Sequence, residues 1–555
     1  MPARLLSVFL LALFSLCASA APAHRDALVK AILSEDLDEQ ITTLRTLSST
    51  DDAFVQQALA AWRQGSVYLY DSNDTRIPFL LDAAVDAEGR AKGLTVADGR
   101  PFVDSSGKPL LFLPAEITPA DTSSKLRKAI KTTLDLFALN NPDNRMRRDA
   151  VTKIGQEQNP EYIPFLQARL TKEADPQVKR ALAEAVAITE LAAEDPATRL
   201  KAIVAAGTLN SINSLSFLKS LQADAEANKT KLDAASLAAL RKSIYDIEQY
   251  IWRGNMFGTA FRGLSLGAVL LVAALGLAIT FGLMGVINMA HGEVMMVGAY
   301  SAFVVQNYFT RWFGPSGAGF DSYFLAALAV SFLAAATVGL LLERGIIRFL
   351  YKRPLESLLA TWGVSLVLQQ LFRHIFGAAN VQVSSPSWLS GSFEVQDVLL
   401  AYNRIFVIGF AGLIVLATYL LLTRTSLGLQ IRAVMQNRAM ASCLGVRVDR
   451  VNMMTFAFGS GLAGMAGACL SQIGNVGPSL GQNYIVDCFM VVVLGGVGNL
   501  VGTIAAAFGI GMTDQMLQPV LGAVMGKIIV LAGIILFLQW RPAGLFVTRT
   551  RNLEG

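Results

Sequence analysis

Between Val451 and Trp540 the chain carries only three charged residues, Asp487, Asp514 and Lys527. A stretch so long and so poor in charge cannot wrap a soluble core in a hydrated surface, and it has to lie against lipid or other apolar helices. Charge is sparse from about residue 256 onward, whereas up to about residue 250 acidic, basic and apolar positions mix as in a water-soluble domain. The overall figures, 53% hydrophobic and 16% charged residues, average these two unlike parts. The net charge of +5 is modest. The basic residues of the apolar part fall in short loops, which speaks for membrane topology and against a nucleic-acid footprint.

Residues 1–20 read as a cleaved secretory signal: Arg4, an apolar run from Leu5 to Leu16 too short to span, and Ala18-Ser19-Ala20 before Ala21-Pro22. Residues 21–250 are then an exported, mainly helical domain. Leu28, Ile32, Leu37, Ile41, Leu44 and Leu47 recur at helical spacing. Between Ser66 and Ile117, runs such as Val67-Tyr68-Leu69-Tyr70 and Leu110-Leu111-Phe112-Leu113 predict a small β insert. Asn141-Pro142-Asp143, Asp175-Pro176 and Asp195-Pro196 each announce a helix, because an Asx side chain caps free amides and proline suits a first turn. Their recurrence suggests HEAT-like helix pairs, with ordinary unrelated helices as the alternative. Of the four cysteines, Cys17 falls in the signal and Cys443, Cys469 and Cys488 in the apolar half, so the exported domain has no disulfide framework and no thiolate metal site.

Residues 251–555 are expected to form a transmembrane domain of about nine spans, near 262–282, 284–305, 322–342, 355–376, 405–422, 451–471, 485–501, 503–519 and 523–540. Arg344 to Arg353, Arg424 to Arg450 and Arg541 to Arg551 hold the clustered basic residues and are expected inside the cell. An exported N-terminus and a cytoplasmic C-terminus require an odd number of spans, and nine places all three loops inside. The segment 284–305 and the short pair around Gly502 are candidates for re-entrant segments, which would change the count by an even number. The predicted fold is an all-α polytopic membrane domain behind the exported one.

The segment Thr280 to Ala302, TFGLMGVINMAHGEVMMVGAYSA, interrupts an apolar span with Asn288, His291 and Glu293 and with four glycines. Polar side chains at membrane depth are costly unless they face other helices or water, so they point to a solute path. With Asn475, Asp487 and Asn499 they make up the candidate path. On one regular helix 288 and 291 share a face while 293 lies about 160° from 291. Either the helix breaks near Gly292 or Glu293 serves another contact. The expected roles are path lining for Asn288, a hydrogen bond between helices for His291, and a neighbouring helix or loop as partner for Glu293. Gly285-Val286-Ile287-Asn288 and Gly496-Val497-Gly498-Asn499 share the pattern G-V-x-N, a short match that either marks an internal repeat or is coincidence. Ser460, Gly464 and Ala468, beside Gly459, Ala463 and Gly467, form small-residue stripes suited to close helix packing.

Catalytic patterns are missing. Gly526-Lys527 is followed by Ile528 and Gly107-Lys108 by Pro109, so neither is a phosphate-binding loop. His24, His291 and His374 form no ligand pair. The expectation is a chain that is not an enzyme and holds no cofactor or metal. Thr425 to Arg450 is too polar to span; it offers either an amphipathic helix for a cytosolic partner or a basic loop against lipid headgroups.

GVINMAHGEVMMVGAY at 285–300, SLGLQIRAVMQNRAMASCLGV at 426–446, SQIGNVGPSLGQNYIVD at 471–487, GGVGNLVGT at 495–503 and RPAGLF at 541–546 together resemble the branched-chain amino acid type of ABC-transporter permease. The nearest resemblance is to the family's urea-transport form, which carries a long exported N-terminal extension. The resemblance implies a subunit of a bacterial inner-membrane importer, with the N-terminal domain periplasmic and the C-terminus cytoplasmic. Its implied partners are a second related permease, two cytosolic ATPases and a periplasmic solute-binding protein. It also implies that 426–446 docks on an ATPase, with Arg432, Asn437, Ala439 and Gly445 at the matching positions. The expected function is import of urea or a short amide, with branched-chain amino acid import as the alternative. A membrane-anchored ligand sensor or scaffold is the alternative of another class, and several spans bearing polar residues argue against it.

Overall fold

The computed structural model describes residues 21–47, 52–72, 75–86, 90–103, 109–113, 117–227, 232–351, 353–542 and 544–546. The signal-peptide reading of residues 1–20, with Cys17, lies outside these residues, as does the end of the basic C-terminal segment. The chain divides into two compact units between Ile251 and Trp252.

The first unit opens with helices α1 (Ala21–Leu33), α2 (Leu37–Leu47) and α3 (Ala53–Arg63). Strands β1 (Val67–Ser72), β2 (Thr75–Val85), β3 (Ala91–Thr95), β4 (Leu111–Phe112) and β5 (Thr118–Pro119) follow as one antiparallel sheet of order β4-β3-β2-β1-β5. Tyr70, Phe79, Phe102 and Phe112 pack ring on ring over it, and Gly93 lies beneath them because a β-carbon there would come within 2.7 Å of Phe112. Helices α4 (Ser124–Phe137), α5 (Asn144–Gln156), α6 (Ile163–Lys172), α7 (Pro176–Glu190), α8 (Pro196–Thr208) and α9 (Leu215–Glu226) complete it, with the start of α10 (Ala234–Met284). Asp143, Asp175 and Asp195 cap α5, α7 and α8 by accepting amide hydrogens of Arg145, of Gln177 and Val178, and of Ala197 and Thr198. In the first of the three Asx-Pro motifs the cap is therefore Asp143, after the proline, and not Asn141.

Where α5 meets the end of α6, Arg147 holds buried Glu173 with both arms, Nη2 to Oε1 at 2.9 Å and Nε to Oε2 at 3.1 Å, and Arg169 adds a third bond at 3.0 Å. Burial would raise the Glu173 carboxyl. The hydrogen bonds from Arg147 and the Asp175 amide, with the charges of Arg147 and Arg169, outweigh it and hold the carboxyl at about 2. A depressed folded value stabilises above the ordinary carboxylate range and is lost as pH falls, so this contribution is complete above about pH 5 and fades toward pH 2. Arg147→Ala strands the carboxylate in a buried site and should destabilise the unit by about 3 kcal/mol. Faster hydrogen exchange in α5 and α6 at neutral pH, with the difference from the unmodified chain shrinking on acidification, is the expected readout.

The second unit contains the rest of α10, then α11 (His291–Phe313), α12 (Ala318–Asp321), α13 (Tyr323–Gly345) and α14 (Pro354–Phe376). A hairpin of β6 (Ser392–Val395) and β7 (Val398–Ala401) leads into α15 (Tyr402–Arg424). Then come α16 (Ser426–Gln436), α17 (Arg438–Cys443), α18 (Val448–Ser471), α19 (Leu480–Gly495), α20 (Leu500–Leu521) and α21 (Ala523–Trp540). Seven helical stretches among the described residues are long and apolar enough to cross a membrane: 234–282, 318–349, 355–376, 402–424, 448–471, 500–521 and 523–540. Two of the nine expected segments fall outside that set, α11, which carries polar residues, and α19, which is apolar but only 16 residues long. Their limits also shift. The expected 284–305 helix starts at His291, because Gly285 at φ +66° leaves the helical region, and the expected 485–501 helix ends at Gly495, before Gly496 at φ +98°.

Helices α11, α13 and α18 form the centre of this unit, and glycine lets their backbones touch. A β-carbon on Gly298 would land on the Gly464 backbone, and one on Gly467 on the Met295 carbonyl. Ser331 Oγ donates to the Gly298 carbonyl at 2.7 Å. Gly459 meets Gly276 of α10 in the same way, so both small-residue stripes of α18 are packing surfaces.

Candidate functional site

Between α10 and α11 the chain leaves the helical path for six residues, Gly285 to Ala290. Broken backbone inside an apolar bundle needs partners for its freed amides and carbonyls. Asn288, fully buried, supplies one: its Oδ1 accepts the Ala290 amide at 3.1 Å. Helix α14 supplies another, since Thr361 Oγ1 accepts the Met289 amide at 3.1 Å. One turn along α14, Ser365 Oγ donates to Glu293 Oε1 at 2.7 Å, and a turn further Gln369 Nε2 donates to the same oxygen. Thr361, Ser365 and Gln369, four residues apart, thus form one polar ridge that fastens α14 to the break and to the first turn of α11. All three are buried, while Leu355, Leu359, Val367 and Ile375 on the same helix are exposed.

The seam continues as aromatic surface. The Tyr300 ring lies 5.1 Å from that of Phe372 and 4.5 Å from that of Phe376, centroid to centroid. Several buried polar atoms here make no hydrogen bond among the described residues: Asn288 Nδ2, His291 Nδ1, Glu293 Oε2 and the Tyr300 hydroxyl. Such atoms are expensive to leave bare and are what a polar solute could satisfy in passing.

The sequence-derived residues separate into groups. Asn288 and His291 do not share the face of one helix: Asn288 lies in the break, and His291 opens α11 and donates from Nε2 to the Ala273 carbonyl of α10 at 3.0 Å. The break precedes His291; Gly292 is helical and packs on Gly481 of α19, where a β-carbon would come within 2.8 Å of the Gly481 carbonyl carbon. Asp487 stands apart in α19, ion-paired with Lys527 of α21 at 2.8 Å. Asn475 is exposed in the loop before α19. Asn499 caps α20, its Oδ1 accepting the Gly502 amide at 3.0 Å. The two G-V-x-N stretches are both inter-helix breaks opened by a positive-φ glycine, and Gly282, just before the first, packs on Gly498 of the second. Thr361, Ser365, Gln369 and Tyr300 were not among the sequence candidates. The four-residue spacing of Thr361, Ser365 and Gln369 within an apolar segment was the signal available for three of them.

The polar loop after α15 folds as an elbow of two short helices, α16 and α17. Thr425 caps the first by accepting the Gly428 amide, and Asn437 caps the second by accepting the Met440 amide at 2.9 Å. Gly445 ends α17 at φ +86°, a conformation other residues adopt only with strain. Arg432 donates to the Leu422 carbonyl, and Ala439 is exposed. Ile431, Val434 and Ala441 bury one side of the elbow, which leaves Leu429, Met440 and Leu444 exposed on it. Among the described residues no cluster of His, Cys, Asp or Glu could hold a metal ion.

Comparison with known proteins bears on the second unit. Residues 259–538 match the family described as branched-chain amino acid transport system / permease component. The high-affinity branched-chain amino acid transport system permease protein BraD of Pseudomonas aeruginosa is 28% identical over 298 residues, covering 51% of this chain and 93% of that protein. LivH of Escherichia coli K12, described in the same words, is 27% identical over 296 residues with the same coverage. The ribose import permease protein RbsC of Escherichia coli is 25% identical over 200 residues, 35% of this chain and 60% of that one. No solved structure matches. These relatives favour the reading held second at the outset, amino acid transport, over urea. With the family match spanning half of its length, the chain belongs to the permease components of branched-chain amino acid transport systems.

Proposed function

We propose that this chain is a membrane subunit of an ATP-driven importer, and that its solute is a branched-chain amino acid passing along the seam between α11 and α14. The observation that carries this reading is the interrupted helix at Gly285 to Ala290, with Glu293 held against α14 by Ser365 and Gln369. A carboxyl buried in an apolar bundle is costly, and by default it marks a solute path. The names of BraD and LivH supply the solute class. Glu293 can meet the ammonium of an amino acid, and Tyr300, Phe372 and Phe376 can meet its aliphatic side chain. The amide groups of Asn288 and Gln369 also suit urea, which makes urea the rival solute in the same assay. In this reading the first unit is periplasmic, nine segments cross the inner membrane, and a second permease, two ATPases and a solute-binding protein complete the machine.

Uptake of labelled leucine and labelled urea, compared in cells with and without this chain, tests the solute. Leucine uptake that requires the chain supports the proposal; urea uptake without leucine uptake overturns it. The elbow of α16 and α17 is the proposed ATPase contact, through exposed Leu429, Met440 and Leu444. Gly445→Val forces a β-branched residue into φ +86° and should lower uptake at least fivefold at unchanged membrane insertion, with ATP hydrolysis by the complex persisting. Cysteines placed at 440 and 444 that never cross-link to an ATPase subunit in the assembled complex would refute the contact.

A further inference from the structure

The first unit lies outside the family match, and on it α2, α4 and α6 enclose a groove of about 460 Å³. Its floor is apolar, made by Ile41 of α2, Leu136 of α4 and Phe165 of α6. Its rim carries Arg45, Lys125 and Lys128, opposed by one acid, Glu161. The neighbouring cations are spoken for: Lys131, one turn along α4, pairs with Glu157 at 2.6 Å, and Lys153 pairs with Asp135 at 3.1 Å. The Lys125 and Lys128 ammonium groups, three residues apart on one face of α4, have no hydrogen bond or ion pair among the described residues. Nor does an ion pair join either of them to Glu161. Two exposed cations without an ion pair among the described residues thus line the same groove as an apolar floor.

We infer that this groove is a binding site for a medium-chain aliphatic carboxylate, with the carboxylate at Lys125 and Lys128 and the hydrocarbon running along α4 toward Ile41, Leu136 and Phe165, since Leu136 lies about 12 Å of helix beyond Lys128. The volume falls in the range of small-molecule sites, and the combination of apolar lining with a few convergent charges is how such sites fix orientation. A bare inorganic anion would leave the floor unused, and an amine would meet the wrong sign of charge. The inference stands apart from the identity of the transported solute, because every residue it uses lies in the first unit.

The test is calorimetric titration of the full-length chain in nanodiscs with octanoate, joined to hydrogen-exchange mapping. Saturable binding with new protection confined to α2, α4 and α6 is expected. The double variant Lys125→Gln with Lys128→Gln, whose side chains support no internal contact, should weaken binding at least tenfold, and Phe165→Ala at least fivefold. Octylamine should not compete. The inference is overturned if no saturable binding is seen, if the double variant binds with unchanged affinity, or if sulfate competes as well as the carboxylate does.

Discussion

Replacing Glu293 with alanine is expected to cut solute uptake per inserted molecule at least tenfold. The carboxyl is buried and its Oε1 accepts from both Ser365 and Gln369, so truncation leaves two donors on α14 without an acceptor and detaches that helix from the start of α11. Hydrogen bonds to a charged or buried carboxyl are worth roughly 1.5–3 kcal/mol each, and about 1.4 kcal/mol is a factor of ten in rate. Glu293→Gln separates two roles. It keeps an oxygen for Ser365 and Gln369 but changes the second position, Oε2, which has no partner. Uptake lost in both variants, at normal levels of inserted protein, places the solute at Oε2. Uptake preserved in Glu293→Gln and lost in Glu293→Ala leaves the residue a fastening between helices and removes it from the path.

A second large effect should come from Gly298→Val, which we expect to reduce the monodisperse protein recovered in detergent to under a tenth. The new side chain would enter the Gly464 backbone, where no rotamer change can make room. Ordinary overpacking destabilises by about 1–3 kcal/mol because flexible neighbours give way; here two helix axes must separate and the bond from Ser331 to the Gly298 carbonyl is lost. The same substitution at Gly409 of α15 or Gly533 of α21, where a β-carbon would meet nothing within 4 Å, should leave recovery unchanged. Equal recovery at all three positions would show that close backbone approach does not hold the bundle together.

Much of this architecture could be read from the residues because it follows from local chemistry. Asp175 before Pro176 and Asp195 before Pro196 are caps whatever surrounds them, and the scarcity of charge after Val451 admits few environments. A face shared by Asn288 and His291 presumes a helix, and Gly285 at φ +66° ends the helix before Asn288, three residues later, while the sequence placed the break near Gly292. Several glycines in the segment permitted a break, and nothing local selected which one would make it. Ser365 and Gln369 passed unnoticed because, on a sequence, a serine and a glutamine amid leucines are tolerable in any span; their meaning depends on Glu293, over seventy residues away. The solute was beyond reach for a related reason. The motifs behind the urea resemblance, such as 426–446 and 495–503, build an elbow and a helix cap.

Helix α14 is the least apolar of the seven candidate spans. Left alone in lipid, its ridge of Thr361, Ser365 and Gln369 would present two hydroxyls and an amide to hydrocarbon with only bonds along their own helix, such as that from Thr361 Oγ1 to the Leu358 carbonyl. The groups that satisfy that ridge, the Met289 amide and the Glu293 carboxyl, belong to a segment made earlier on the ribosome. Chain order therefore makes the partners of α14 before α14 itself, so that they are available when the helix is made. A permuted chain in which residues 354–376 are translated first would lack that partner at the moment of membrane entry.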